Sequence, residues 1–300
     1  MSTQTKYPRV SILGVEVDAL TRAQAVDYIV TRAGERQRPA GCVVKPYVEF
    51  LDRATADADI RGLLNAAELS LADGVALLWA AHFLADRGGG AGQQGADRRH
   101  GWFRDLLRFK LSVLEIIFRP AALRSPLPEK FAGTNFTWPL LEAAAAAGRS
   151  VYLIGSPIGS SIEHTRDVIL KRLPSLNIVG ALDGHDPTAA PGAVTADWLA
   201  ATAADLRAAD PDLVLVGMGF PLQERVAAAL APKLTHGVLI GEGGTFDYAS
   251  FGGARRKAPR LFQATGLEWF WRLLLEPSRL RRQLAIPRFM RAVWRSRRET

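Results

Sequence analysis

The chain has 300 residues, 48% of them hydrophobic and 23% charged, which argues against a disordered polypeptide and suffices for one large core or two modest domains. A single cysteine, Cys42, excludes an internal disulfide framework, and a polar Met1 to Arg9 with no run of about 18 apolar residues predicts neither export nor a spanning helix. The net charge of +8 is unevenly placed: Phe251 to Thr300 carries 13 Lys or Arg against three Glu, a net of +10, while the rest sums to −2.

In chain order, strands are predicted near Val10 to Leu13 and Cys42 to Val44, with a helix opened by Thr21 and another after Asp73-Gly74, all extending one sheet. Asp73 stands at a strand-to-helix junction, where a carboxylate serves as an N-cap or faces a ligand crevice. Residues 85–128 depart from this rhythm. A Gly/Gln/Arg-rich loop precedes a helix over Trp102 to Arg119, on which Arg104, Asp105, Arg108, Ser112, Glu115 and Arg119 share an arc of about a quarter turn. The rest of that helix is mostly apolar and has to be covered, by protein core or by the acyl boundary of a membrane.

From Arg149 to Gly244 apolar runs alternate with helical stretches, the pattern of parallel strands joined by crossover helices. Strands are read at Val151 to Ile154, Asn177 to Ala181, Leu213 to Val216 and Val238 to Ile240. Helices run from about Ser161 to Pro174, from Thr195 to Ala209, and onward from Pro221 in a first turn. The fold class is therefore α/β, a doubly wound and mostly parallel sheet whose ligands sit beyond the carboxyl ends of its strands.

Four glycine-containing turns fall at or near those strand ends, around Gly155, Gly180, Gly217-Met218-Gly219 and Gly241 to Gly244. Each glycine alone need only permit a tight turn, but together they describe one rim where backbone amides can receive a diphosphate. None matches a dinucleotide fingerprint or a P-loop, which disfavours a dehydrogenase or an NTPase. Within Gly217 to Glu224, Gln223 is placed to hydrogen-bond a sugar or base, and Glu224 to do so or merely to oppose a helix dipole. The five histidines show no paired ligand spacing and the Asp57-x-Asp59 and Asp210-x-Asp212 pairs lie away from strand exits, so neither a metal nor another cofactor is expected.

The last segment interleaves Trp269, Phe270, Trp271, Phe289 and Trp294 with arginines, and Pro277 and Pro287 divide it into short helices. Aromatic and cationic residues in such a mixture suit the headgroups of an anionic membrane or a nucleic acid. The expected organisation is a core over 1–247, with an amphipathic insertion at about 85–128, and a basic membrane-associating appendage over 248–300.

These motifs together resemble the WecG/TagA/CpsF family, glycosyltransferase family 26. The resemblance is carried by Asp73-Gly74, by Val216 to Glu224 (similar to V-G-x-G-x-P-x-Q-E), by Gly243-Gly244-Thr245-Phe246-Asp247, by Ala258-Pro259, by Gly266-Leu267-Glu268-Trp269 and by Glu276-Pro277-Ser278-Arg279. It implies a Rossmann-like core and an inverting, metal-independent transfer from a nucleotide-sugar donor to a polyprenyl-diphosphate-linked sugar acceptor, in bacterial surface-polysaccharide synthesis. It also implies a carboxy-terminal appendage that meets the membrane; with the lone cysteine, the expectation is a cytoplasmic protein, peripheral on the inner membrane, with no nucleic-acid partner and with a homo-oligomer left open. Asp73 matches the family's proposed catalytic base. Gln223 matches a substrate-contacting glutamine, and Gly74, Gly217, Gly219, Pro221, Glu224, Gly243, Gly244, Phe246 and Asp247 are carried with it as substrate-binding positions; Gly155 is added to them from the glycine rim. Arg256, Lys257, Arg260, Arg272, Arg279, Arg281 and Arg282 are expected at the membrane or on the leaving diphosphate.

The chain departs from the pattern where Lys45 and Tyr47 replace a Thr and an Asn, and where Lys130 and Lys257 stand for arginines. Lys45 is accordingly expected to meet an anionic group of the substrate, and the 102–119 helix to make a second membrane contact. Two alternatives are a nucleotide-sugar epimerase, disfavoured by the missing fingerprint, and a non-catalytic membrane- or nucleic-acid-binding protein on the same fold.

Overall fold

The structure is a computed structural model that describes residues 7–86, 98–190, 192–259, 262, 271, 273–274 and 284–299. Its centre is a six-stranded parallel sheet in the order β4-β3-β8-β7-β5-β6. The strands are β3 (Gly41–Val44), β4 (Leu69–Ser70), β5 (Ser150–Gly155), β6 (Asn177–Leu182), β7 (Leu213–Gly217) and β8 (Val238–Gly241). The chain leaves β4 at one edge, returns at β5 near the other, and then winds back through β7 to β8 beside β3. The loops after β3, β7 and β8 therefore meet at mid-sheet, where such folds bind ligands.

Side-chain alternation explains why both faces are covered. Val151 and Leu153 join Leu213, Leu215, Val238 and Ile240 on one face, under α1 (Arg22–Ala33), α6 (Gly133–Ala146) and α7 (Ile162–Arg172). Tyr152 and Ile154 join Val214, Val216 and Leu239 on the other, under α8 (Ala196–Ala209) and α9 (Leu222–Leu230). The helices start where the sequence says they should. Thr21 and Gln24 form a reciprocal capping box on α1, and Ser161 and Thr195 cap α7 and α8 through their hydroxyls.

A third apolar cluster lies beyond β4. It gathers α2 (Val48–Ala56), α3 (Ala58–Asn65), α4 (Val75–Ala85), part of α5 (Arg98–Phe118) and α10 (Ala285–Glu299). Phe289 and Val293 of α10 are fully buried there, so the C-terminal helix packs against the helices that follow β3 and β4. Among the described residues no helix is long and apolar enough to cross a membrane.

Two details correct the sequence reading. The first strand, β1 (Arg9–Ile12), does not extend the main sheet: it pairs antiparallel with β2 (Val15–Asp18) around Leu13-Gly14, both at positive φ. A two-residue turn at that backbone conformation closes a hairpin, and Gly14 is the signal for it. Pro287 lies in the first turn of α10, where a missing N–H costs nothing, so a helix does begin there; Pro277 and the Gly266 to Trp269 and Glu276 to Arg279 motifs lie outside the described residues. The second correction concerns Ser112 of α5, assigned to a polar arc. It is buried, accepts from the Trp79 indole at 3.1 Å and donates to the Phe109 carbonyl at 2.8 Å. A hydroxyl that satisfies its own helix is tolerated facing the core, so α5 turns its leucines outward.

Candidate active site

The carboxyl edge of the sheet is tied together from one loop to the next. Asp73 N–H donates to the Pro46 carbonyl at 2.8 Å, which links the loop after β4 to the loop after β3. Phe131 N–H donates to the Ala72 carbonyl at 2.8 Å, which brings the segment holding Lys130 to the same junction. Lys45 Nζ lies 2.7 Å from Glu242 Oε2, joining the loop after β3 to that after β8. Gly243 N–H donates to Gln223 Oε1 at 2.8 Å, joining the loop after β8 to the start of α9. Phe220, in the loop after β7, stacks on Phe50 of α2 with ring centroids 3.7 Å apart.

Asp73 is half-buried, one residue before Gly74, which occupies the N-cap position of α4 at a φ of 95° with open space around its Cα. Glycine is needed there because other residues rarely adopt that φ. The carboxylate is thus placed at a strand-to-helix junction without being the N-cap residue. Tyr47 stands at the start of α2, its hydroxyl donating to Glu49 Oε2 at 2.7 Å.

Behind this rim lies a buried polar cluster. Glu242 Oε2 accepts from Lys45 and, at 2.6 Å, from Thr137 Oγ1 of α6. Gln223 Nε2 donates to Glu224 Oε1 at 2.7 Å. Lys45, Thr137, Gln223, Glu224 and Glu242 are each at most 6% exposed. Among the described residues, Glu224 Oε2 and Glu242 Oε1 have no hydrogen-bond partner. Lys45 is hydrogen-bonded to Glu242, and only its charge reaches Glu224. Burial pushes the Glu224 carboxyl up to about 7, while the Gln223 amide, its own backbone and the Lys45 charge pull the other way.

These contacts change what several residues can do. Lys45, expected to meet an anionic group of the substrate, has its charge met inside the protein by Glu242. Gln223 spends both ends of its amide holding Glu224 and the Gly243 turn, so it positions the rim from behind. Phe246 is 1% exposed and belongs to the core, where its ring explains two of the glycines. A Cβ on Gly155 would come within 3.0 Å of that ring and one on Gly217 within 2.5 Å. Asp247 accepts from Ile158 N–H at 2.9 Å and from the Arg255 guanidinium at 2.7 Å, which clamps the loop after β5 to the loop after β8.

Gly219 and Gly243 take φ of 73° and 57° with open space where a side chain would stand, so their backbones border the crevice directly. Pro221 occupies the N-cap position of α9, and Gly244 is crowded by Asp247 and Arg255. The far side of the crevice is formed by Ser156, whose hydroxyl donates to Asp183, and by Gly184 packed on Met218.

Sequence reasoning missed Glu242 and Thr137. Glu242 stands inside a glycine-rich turn at a strand end and is legible as a polar residue there; Thr137 sits in the interior of α6 and carries no signal. Of the expected cations, Arg256 is exposed and Lys257 donates to Asn135 Oδ1 at 3.1 Å. Arg260, Arg272, Arg279, Arg281 and Arg282 lie outside the described residues. Among the described residues no group of three or more His, Cys, Asp or Glu side chains is placed to hold a metal ion. The sequence model of the Glycosyl transferase WecG/TagA/CpsF family matches residues 10–98 and 116–300.

Proposed function

The chain belongs to the WecG/TagA/CpsF glycosyl transferase family and is a glycosyltransferase of bacterial cell-surface polysaccharide synthesis; from that premise we propose that it transfers a hexose from a nucleotide sugar to a polyprenyl-diphosphate-linked sugar, with inversion and without a metal. The observation that carries this reading is the meeting of the loops after β3, β4, β7 and β8 at one edge, bound by Asp73 to Pro46, Lys45 to Glu242 and Gly243 to Gln223.

In this reading the donor diphosphate lies against the open backbone of the Gly219 and Gly243 turns, and exposed cations such as Arg256 offset its charge as it leaves. Asp73 takes the proton from the acceptor hydroxyl while that oxygen attacks the anomeric carbon opposite the nucleoside diphosphate. The C–O bond to the diphosphate breaks, and its electron pair leaves with the phosphate. General-base assistance of this kind contributes about 10² to 10⁴ in rate. The buried Lys45–Glu242–Thr137 group and the Gln223–Glu224 pair hold the rim in place and touch no reacting atom. The basic C-terminal segment brings the enzyme to the cytoplasmic face of the inner membrane, where the acceptor resides.

The test is transfer from a panel of nucleotide sugars to a short-chain polyprenyl-diphosphate sugar with EDTA present. Product made by the wild-type chain and lost in Asp73→Asn, with the fold intact by circular dichroism, is the expected result. An active Asp73→Asn variant removes the base assignment, and activity only after metal addition removes the metal-free mechanism.

A further inference from the structure

On α5 the side chains of Leu107, Leu111, Leu114 and Phe118 are 55%, 52%, 47% and 74% exposed. Their spacing of four, three and four residues puts them within an arc of about 60° along one face of the helix. This is a continuous ridge of large apolar side chains in water, unlike the single exposed leucines that any protein surface carries. The opposite face is already packed: Phe109 contacts Trp79, Phe83 and Trp294, and Val113 and Ile116 lie against the same cluster. The ridge is therefore not a core face left uncovered by a displaced helix. Most of α5 falls between the two stretches that the family model matches, so the family match does not account for it.

The surrounding charges identify the occupant. Lys110 and Arg108 are exposed on either flank of the ridge, and Arg119 and Arg124 are exposed just past its end. α10, which meets α5 through Trp294 and Phe109 on the face opposite the ridge, presents Arg291, Arg295 and Arg298 as an exposed stripe of its own. Between α4 and α10 a cavity of about 240 Å³ is lined by Phe83, Trp294, Arg297 and Arg298. Leucines and a phenylalanine flanked and followed by exposed cations match a surface that is apolar below and anionic above. A second copy of this chain fits less well, because pairing along the ridge would bring Lys110, Arg119 and Arg124 of both copies together.

We propose that the Leu107–Phe118 ridge of α5 lies in the interface of an anionic bilayer, with the acyl boundary taking the leucines and Phe118 and the headgroup phosphates taking the exposed cations beside the ridge, Lys110, Arg119 and Arg124 among them. Since α5 packs on α4, whose first turn follows Asp73, docking there holds the catalytic rim at the membrane independently of residues 260–283. The docking does not rest on the transfer reading and is measured without donor or acceptor.

The experiment is co-sedimentation of the full chain with vesicles of phosphatidylcholine alone or mixed with phosphatidylglycerol. Wild-type chain binds the mixed vesicles, and added salt weakens that binding. Leu111→Gln with Leu114→Gln lowers the affinity on the order of 30-fold, and Phe118→Ser, at the most exposed position, lowers it several-fold, with circular dichroism spectra and activity on a water-soluble short-chain acceptor unchanged. Three results overturn the proposal: unchanged vesicle affinity in both variants, no vesicle binding by the wild type, or a wild-type dimer that both variants convert to monomer.

Discussion

The carboxyl edge of the sheet and the outer face of α5 depart from ordinary protein architecture in opposite directions. At the sheet edge Lys45, Glu224 and Glu242 are charged or titratable groups taken out of water, while on α5 Leu107, Leu111, Leu114 and Phe118 are apolar groups left in it. Each departure costs free energy, but of different kinds. A buried ion pair costs desolvation that only well-made hydrogen bonds offset. An exposed apolar ridge costs nothing structural to the folded chain, only the burial it forgoes. The first region should therefore respond to mutation with large losses of stability, and the second with almost none, its effect appearing only when a surface is supplied.

The largest expected effect tests whether the buried cluster serves the rim in front of it. Asp73→Asn should lower transfer by about 10² to 10⁴, equivalent to roughly 3 to 5 kcal/mol of barrier, with an unchanged urea-unfolding midpoint. Next in size is the ion pair. Lys45→Met leaves Glu242 buried with only Thr137, and should cost about 3 to 5 kcal/mol in urea unfolding. Glu242→Gln in the same chain should recover most of that loss, because no uncompensated charge remains. If Lys45→Met unfolds like the wild type, the pair is not the buried element described above.

A pH series on stability sharpens the comparison further. The folded Glu224 carboxyl titrates near 7, above its ordinary value of 4.5. The folded state thus binds a proton that the unfolded chain releases, so this contribution is fully present below about pH 4.5 and is lost as pH rises through 7. It amounts to at most about 3 kcal/mol, and Glu224→Gln should flatten the stability profile between pH 5 and 8 by roughly that amount. The smallest effect lies on α5. Leu111→Gln should change unfolding free energy by about 0.5 kcal/mol or less, since the side chain is half in water already. A loss well above that would mean the ridge is held by protein.

Much of the core is legible in the amino-acid sequence, because its signals are local. The strands β5 to β8 and helices α7 and α8 start and stop within a residue or two of their predicted ends, set by apolar runs, by Ser161 and Thr195 as caps, and by Pro174 and Asp210 as terminators. The hairpin β1–β2 escapes such a reading because strand propensity says nothing about which strand is the neighbour. The polar arc of α5 is misjudged for a similar reason: periodicity shows that a helix has two faces, but Ser112 looks the same whether it meets water or the Trp79 indole.

The sequence by itself determined that this chain is an α/β protein with glycine-rich turns at its strand ends, a carboxylate at Asp73 and a basic, aromatic C-terminal segment, because composition, periodicity and capping are properties of neighbouring residues. Only the tertiary structure decided that Lys45 is neutralised by a residue 197 positions away, that Gln223 is a tether, that Phe246 dictates glycine at 155 and 217, and that α5 keeps four large apolar side chains in water. Those facts depend on which distant segments the sheet order brings together, and the free energy of a buried charge or an exposed leucine exists only once that neighbourhood is formed.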